Sequence, residues 1–499
     1  MTFTAVGARA QYVPEAPSQM RTDSTLVLTL EKAIELALDE NVSVKVADLE
    51  IKRTEYARRG AYGALFPQVN GSASFQRTIK KQVMYMDGMS GGGGSMFEKA
   101  FEPLWKAIGE LSAGTGVPVT IDGGGSSEGE GEAPASSGGI EVGRLNTFNA
   151  GINASMPLVN AQLWQSLSLT GDQVELAVEQ ARESRLGTVT SVKQSFYSIL
   201  LAKEALAVYK SVYDNAVENC RLTEMRYNVQ KASELDYTRA KANVASAIPN
   251  YYNAEGAVLL ALWQLKAVMG IDLDTDVDIE GSLEDYAAAL EGGLWAGEPE
   301  ELDGNTTVRQ LAIQAEQLAK TIRMRQFAYL PTLAVNFAYS YNAMTNDFNF
   351  SEYRWTPYSY VGLSLSIPIF SGGQRYHDVK QARVQAAELD LQRVNTERQL
   401  RIGIRQNLQT METARKTYDA AMEALVSAAK AYDIAEQSYG VGKSTLTDLN
   451  NTELVLVQSR LAVSQAIFNY LNAKASLEQT VGYDFIDENG KTDLGNKEK

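Results

Sequence analysis

The sequence predicts a mixed α/β membrane protein built from one helix–strand–strand–helix unit used twice. Three observations predict it. Spacings recur: Pro157 to Tyr227 is 70 residues and Pro368 to Tyr439 is 71, while Tyr227 to Gly270 and Tyr439 to Gly482 are both 43. Four short segments alternate apolar and polar side chains and are bounded by Pro67, Pro157, Pro331 and Pro368. Two proline-free stretches of nearly 70 residues carry helical patterning.

Residues 1–25 form an extended start in which Ala8-Arg9-Ala10 has the small-residue form that ends a secretory signal. The first repeat covers 26–270. Ala33, Leu36, Ala37, Val44, Ala47 and Ile51 predict a helix over 31–64, and Pro67 ends it because proline disfavours α geometry in its predecessor. A strand follows over about 67–79, with Val69, Ala73, Phe75 and Ile79 on one face. Residues 82–147 hold 16 of the 39 glycines and read as a surface excursion. The second strand, about 147–157, aligns Phe148, Ala150, Ile152, Ala154 and Met156. Helices are expected over 159–226 and 234–269, with Pro249 bending or breaking the latter.

An acidic segment, 271–304, joins this unit to the second repeat, 305–482. There the expected elements are a helix at 306–328, strands at about 331–342 and 358–368, and helices at 370–438 and 446–480; a tail, 483–499, follows. Leu333, Val335, Phe337, Tyr339 and Tyr341 share one strand face. Val361, Leu363, Leu365 and Ile367 share another, with Tyr360, Gly362, Ser364 and Ser366 opposite. Tyr339, Tyr341, Tyr353, Tyr358 and Tyr360, with Trp355, fit an interfacial aromatic belt.

The chain carries 61 acidic and 46 basic side chains, a net charge of -15, which argues against a nucleic-acid partner. Residues 271–304 contain twelve acids and no base, so much of that charge is local. One cysteine, Cys220, and one histidine, His377, leave no internal disulfide and no multi-histidine metal site. Gly91–Gly94 lacks the Lys-Ser/Thr of a phosphate loop. No cofactor and no enzymatic acid/base pair is expected. No run of about 18 apolar residues encodes a membrane helix, which leaves a β-barrel open.

A helix of about 70 residues spans roughly 105 Å, whereas a 43-residue return arm reaches only roughly 65 Å. Each return is therefore expected to stack two pieces, 234–269 with 306–328 and 446–480 with 31–64. Backbone polar groups in lipid tolerate no open sheet edge, so four strands must join others in a closed barrel. Three chains would supply twelve strands and two would supply eight; periodicity does not choose. Small residues in the helices suit close packing around a wide lumen rather than a leucine-filled bundle.

The duplicated plan, the proline breaks and the Tyr439-Gly-Val-Gly-Lys443 turn resemble the TolC-like outer membrane efflux protein family over about residues 26–485, apart from the glycine-rich insert. That resemblance implies a homotrimer in the outer membrane of a Gram-negative bacterium. It would have a twelve-stranded barrel continued by a long antiparallel coiled-coil α-helical barrel in the periplasm. It implies a passive export channel working with a periplasmic adaptor and an inner-membrane transporter of RND or ABC type. The residues Arg226, Tyr227, Gln230 and Lys231, with Tyr439, Gly442 and Lys443, would form adaptor-docking tips. Asp448 stands at the family's entrance carboxylate, Asp236 aligns with it in the first half, and Asn451 replaces a second acid. Helix-start capping is the alternative role for Asp448. Gln230 in place of glycine is expected to alter the first turn. A protein-secretion conduit of the same fold, or a soluble coiled-coil scaffold, are the rival readings.

Overall fold

The structure, a computed structural model, describes residues 26–84, 140–291, 302–349 and 353–482. The signal-like start, most of the 82–147 excursion, part of the acidic segment and the 483–499 tail lie outside the described residues. In chain order the elements are β1 (Leu26–Leu28), α1 (Leu30–Glu40), α2 (Val42–Tyr62), β2 (Gln68–Arg77), β3 (Gln82–Met84), β4 (Ile140–Val142), β5 (Asn146–Val159), α3 (Ala161–Asn228) and α4 (Glu234–Met269). They continue with β6 (Val277–Ile279), α5 (Ala288–Glu291), α6 (Thr306–Phe327), β7 (Thr332–Thr345), β8 (Thr356–Ser366), α7 (Gln374–Gly440) and α8 (Leu446–Val481). They fall into a helical unit and a strand unit, the latter spanning 64–159 and 332–366.

In the helical unit, buried residues recur every seven positions. The run is Ala240, Ala247, Ala254 and Ala261 on α4, and Ala414, Ala421, Ala428 and Ala435 on α7. On α8 it is Leu449, Leu456, Val463, Tyr470 and Leu477. A seven-residue repeat keeps one seam facing its partner only if the helices supercoil left-handedly, and alanine lets the backbones approach. α7 and α8 pack as one hairpin and α3 and α4 as another. Where α1 and the acidic segment join these hairpins the core thickens, around Phe196, Ile199, Leu265, Met269, Leu283, Ile404 and Ile467. The acidic segment is thus partly ordered: β6 pairs in parallel with β1, and Lys203 holds Asp278 at 2.6 Å.

The helix expected over 31–64 is two helices. Asn41 interrupts it, accepting from the N–H of Ser43 at 2.7 Å to start α2 and donating from Nδ2 to the Val268 carbonyl at 2.6 Å. The second repeat repeats the device: Asn305 accepts from Val308 N–H at 3.0 Å and donates to the Thr480 carbonyl at 2.7 Å. The C-terminus of α4 therefore abuts the N-terminus of α2, and that of α8 abuts α6. This reverses the expected stacking: α4 is continued by α2 of its own repeat, not by α6 across the acidic segment. Gly270 and Gly482 close the helices at φ 76° and 74°. A Cβ on Gly270 would lie 2.7 Å from the Glu40 carbonyl oxygen, and one on Gly482 would overlap that of Gly304. Pro249 does not break α4. It is exposed, as is Ala245, whose carbonyl the missing N–H frees to water.

The strand unit is one antiparallel sheet of order β2-β5-β7-β8. Register places Ala154, Phe337 and Val361 in one row and Phe75 beside Phe148, so the apolar rows of all four strands share a face. Ile152 and Val361 on it are 50% and 74% exposed, an arrangement suited to lipid. Strands β5 and β7 are longer than expected: β5 runs past Pro157 through a register shift between Pro157 and Val159, and β7 extends to Thr345 by pairing with Asn146, Thr147 and Phe148 at the start of β5. Pro368 lies beyond β8, and Ile79 beyond β2. The short β3–β4 ladder forms the described edges of the excursion. Tyr339 and Tyr341 lie on the apolar face with their hydroxyls 2.7 Å apart. Tyr358 and Tyr360 do not join such a belt: they pair with Ser340 and Ala338 on the opposite, polar face.

Replacing Gly270 with alanine is expected to lower the melting temperature of the detergent-extracted protein. The left-handed φ alone costs about 1–2 kcal/mol, before the backbone clash. Gly403→Ala, in the interior of α7 where a Cβ meets nothing within 4 Å, is expected to gain about 0.5–1 kcal/mol. Circular-dichroism melts of the two variants should move in opposite directions.

Candidate functional site at the helical hairpin tips

Each long hairpin turns through the same six-residue bend. In the first, Lys231 N–H donates to the Arg226 carbonyl at 2.7 Å and Gln230 N–H to that of Tyr227 at 2.9 Å. In the second, Lys443 N–H donates to the Ser438 carbonyl at 2.8 Å and Gly442 N–H to that of Tyr439 at 3.0 Å. This is the paired closing pattern of a helix C-terminus, which needs a left-handed residue. Gly442 supplies it at φ 77° and Gln230 at φ 58°. The expectation that Gln230 alters the turn is therefore wrong: the geometry is kept and the side chain bears the backbone strain.

Both bends lead into a capped helix. Ser233 Oγ accepts from Asp236 N–H at 3.1 Å while the Asp236 carboxylate accepts from Ser233. Thr445 Oγ1 accepts from Asp448 N–H at 3.2 Å, and Asp448 Oδ2 accepts from Thr445 Oγ1 at 2.6 Å and Thr445 N–H at 3.2 Å. These are reciprocal capping boxes. The bond from the Thr445 hydroxyl, then that from its N–H, hold the Asp448 carboxyl below the usual carboxylate range. Asp448 is exposed, as is Asn451 three residues on. The capping role and an exposed negative charge coexist because Oδ2 alone carries the capping bonds.

Arg226 locks the two bends together. Its guanidinium donates to the Gly440 carbonyl at 2.9 Å and the Tyr439 carbonyl at 3.3 Å, and lies over the Tyr439 ring at 5.1 Å. The buried Tyr439 hydroxyl meets Thr223 Oγ1 at 2.9 Å. Tyr227 is not part of this lock; it stacks on Tyr237, rings 5.4 Å apart, and Tyr237 donates to Glu224 at 2.9 Å. Lys231 and Lys443 are exposed. Of the boundary prolines, Pro67 and Pro331 stand immediately before β2 and β7.

Two features escaped the sequence reading. Val229 and Val441, at matching positions in the bends, are 63% and 71% exposed; their pairing was visible in the aligned turns. Above the bends, Asn215 Nδ2 donates to Glu453 Oε1 at 3.0 Å and to the Tyr432 hydroxyl at 3.2 Å, tying α3, α7 and α8. Burial pushes the Glu453 carboxyl up, against the Asn215 bond and with help from Glu436. Burial, then Glu453 and Glu436, pushes Tyr432 up to about 12. No sequence signal marks this cluster, since its members lie on three separate helices.

A raised carboxyl pKa means the folded state holds its proton more tightly than the unfolded one, so this group's contribution falls as pH rises through the carboxylate range. Glu453→Gln is expected to raise the melting temperature at pH 7.5 and to leave it unchanged near pH 4. Equal shifts at both values would contradict the assignment. Gln230→Gly is expected to add about 1 kcal/mol by removing the left-handed strain, measurable in the same melts.

A model of the family described as outer membrane efflux protein matches residues 118–271 and 299–483, more than half the chain. Outer membrane protein TolC of Escherichia coli (strain K12) is 21% identical over 349 residues, covering 68% of this chain and 70% of that protein. Among solved structures, the Campylobacter jejuni CmeC outer membrane channel superposes with a TM-score of 0.66 at 18% identity, covering 94% of this chain and 90% of that one. The open state of the Neisseria gonorrhoeae MtrE outer membrane channel also gives 0.66, at 17% identity, covering 91% and 88%. These likenesses establish a shared fold.

Proposed function

This chain belongs to the outer membrane efflux protein family, and we propose on that premise that three copies close one twelve-stranded barrel around a common export pathway. It is an outer-membrane channel of a tripartite efflux system, non-catalytic, working with a periplasmic adaptor and an inner-membrane pump. One observation carries the trimer reading: the four-stranded sheet has a lipid-suited face, a polar face and two outer strands, β2 and β8, each of which has a strand neighbour on one side only among the described residues. Lipid leaves such edges no hydrogen-bonding partner, so β8 of one copy is completed by β2 of the next. Twelve strands enclose a water-filled passage where eight would be filled by side chains.

In this reading the two bends are the periplasmic entrance. Asp448 from three copies makes a ring of charge that favours cations; Asp236 contributes a carboxylate at the equivalent capping position of the first bend, and Asn451 leaves the next position neutral. The exposed Val229 and Val441, flanked by Tyr227, Gln230, Lys231, Gly442 and Lys443, offer the adaptor an apolar patch with a basic rim. Arg226 and Tyr439 keep the bends together beneath it. Pro67 and Pro331 open β2 and β7, while Pro157 lies two residues inside the end of β5 and Pro368 two residues beyond β8, so the prolines cluster where each chain passes between helix and strand. The pump is of RND or ABC type, and the cargo is small molecules or drugs. The 82–147 excursion joins the first strand pair on the extracellular side.

Reconstitution in planar bilayers tests the entrance. Wild-type protein is expected to conduct with cation preference, and Asp448→Lys to reduce that preference or the conductance. Unchanged recordings for the variant would remove Asp448 from the entrance.

A further inference from the structure

The polar face of the sheet carries a feature that export through a neutral pore does not require. Its described residues are amides, hydroxyls, glycines and alanines, with proline and methionine toward the strand ends. None of them is Asp, Glu, Lys or Arg. The only aromatic side chains among them are Tyr358 and Tyr360, both on β8. Their ring centroids are 5.8 Å apart and the planes are inclined at 47°, so the rings splay and each leaves a face free. They are 58% and 47% exposed.

The floor around them is low. The row across the sheet from Tyr358 is Ser340, Gly151 and Ser72. Gly151 is required there, because a Cβ would come within 2.8 Å of the Ser340 Cβ and of the Tyr339 carbonyl oxygen. Next to Tyr360 across the strands stands Ala338, and along the strand its ring edge lies beside Gly362, where even a Cβ would only just touch it at 3.7 Å. Two large rings therefore stand proud of the small residues beside them, Ser340, Ala338 and Gly362, on the edge strand of the described sheet, with Asn153 and Asn70 farther along the row from Ala338.

We propose that Tyr358 and Tyr360 form a cargo-contact site in the barrel that takes planar aromatic cations. The proposal rests on the reading that this polar face lines the barrel. With no fixed charge in the described lining, a compact metal ion or an anion finds no counter-ion there. An aromatic face, in contrast, attracts a cation through its quadrupole and offers a flat surface to another ring. The exposed ring faces, rising over a low floor, offer a flat ligand a surface to stack on from the lumen. Three-fold repetition places three such pairs around one barrel, so a passing cargo molecule meets several weak sites rather than one tight one. Weak sites in series hold cargo transiently without trapping it.

The test uses the full-length protein in planar bilayers with ethidium, a planar aromatic cation, added on the extracellular side. Wild type is expected to show brief ethidium-dependent current interruptions. Tyr358→Phe/Tyr360→Phe should keep them, because the ring faces remain. Tyr358→Ser/Tyr360→Ser should shorten their dwell time at least about fivefold while leaving the potassium conductance near the wild-type level. If the double serine protein does not assemble, Tyr358→Ser alone provides the same comparison. Interruptions unchanged in the serine variants would overturn the proposal, as would their loss in the phenylalanine variant, which would assign them to the hydroxyls. Equal interruption by tetramethylammonium, a cation with no ring, would overturn the aromatic class. Failure of wild type to conduct at all would instead refute the barrel reading.

Discussion

Seven-residue register is the constraint on which the helical unit depends. Helices of 67 and 68 residues stay in contact with a partner over their length only if the apolar seam does not drift round the helix. A spacing of 3.5 residues achieves that through supercoiling. Ala414, Ala421, Ala428 and Ala435 meet it with the smallest side chain that still packs. The complementary positions Ile404 and Met411, with Tyr418, Leu425, Tyr432 and Tyr439 continuing their spacing, supply the bulk. Alternation of small and large keeps the two-helix layer thin. A thin wall is what a helical assembly needs if it is to surround space instead of filling it.

A thin wall also has to end cleanly, and the ends are where polar chemistry concentrates. Reciprocal capping at Ser233–Asp236 and Thr445–Asp448 satisfies the N-termini beyond the bends. Arg226 takes up carbonyls at the C-terminus of α7. At the other ends, Asn41 and Asn305 serve two helices at once, starting one and finishing another. The same economy appears at Asp448, whose carboxylate shapes its own helix and still faces water.

Much of this was legible in the sequence. Alternation of two fixed the strands and their apolar faces because each strand has one oily side, and proline marked their approaches. The long helices followed from the absence of proline over nearly 70 residues. Which short helix continues which return arm was not legible, since it depends on two chain ends meeting across the core, and chain order suggested the wrong partner. Gln230 was misjudged for a related reason: residue type gives the cost of a left-handed φ, while the two flanking hydrogen bonds decide whether the cost is borne. The clustering of tyrosines near the strand ends suggests a belt, although the even positions of Tyr358 and Tyr360 place them with Gly362 and Ser364 on the polar face. Glu453 could not be found, because burial made it distinctive and burial came from helices α3 and α7.

The two Asn–Gly junctions have a consequence for how such a chain arose. Asn41 meets the end of α4 at Val268, and Asn305 meets the end of α8 at Thr480, so each junction joins the helix that leads into the strands, α2 or α6, to the last helix of its own repeat. Each half is a closed circuit whose termini already adjoin. A segment with adjoining termini can be copied in tandem without stretching either copy, since the new connection only has to step from one finished circuit to the next. The acidic segment is that step, and its described part is tied down on the way, by pairing of β6 with β1 and by burial of Leu283.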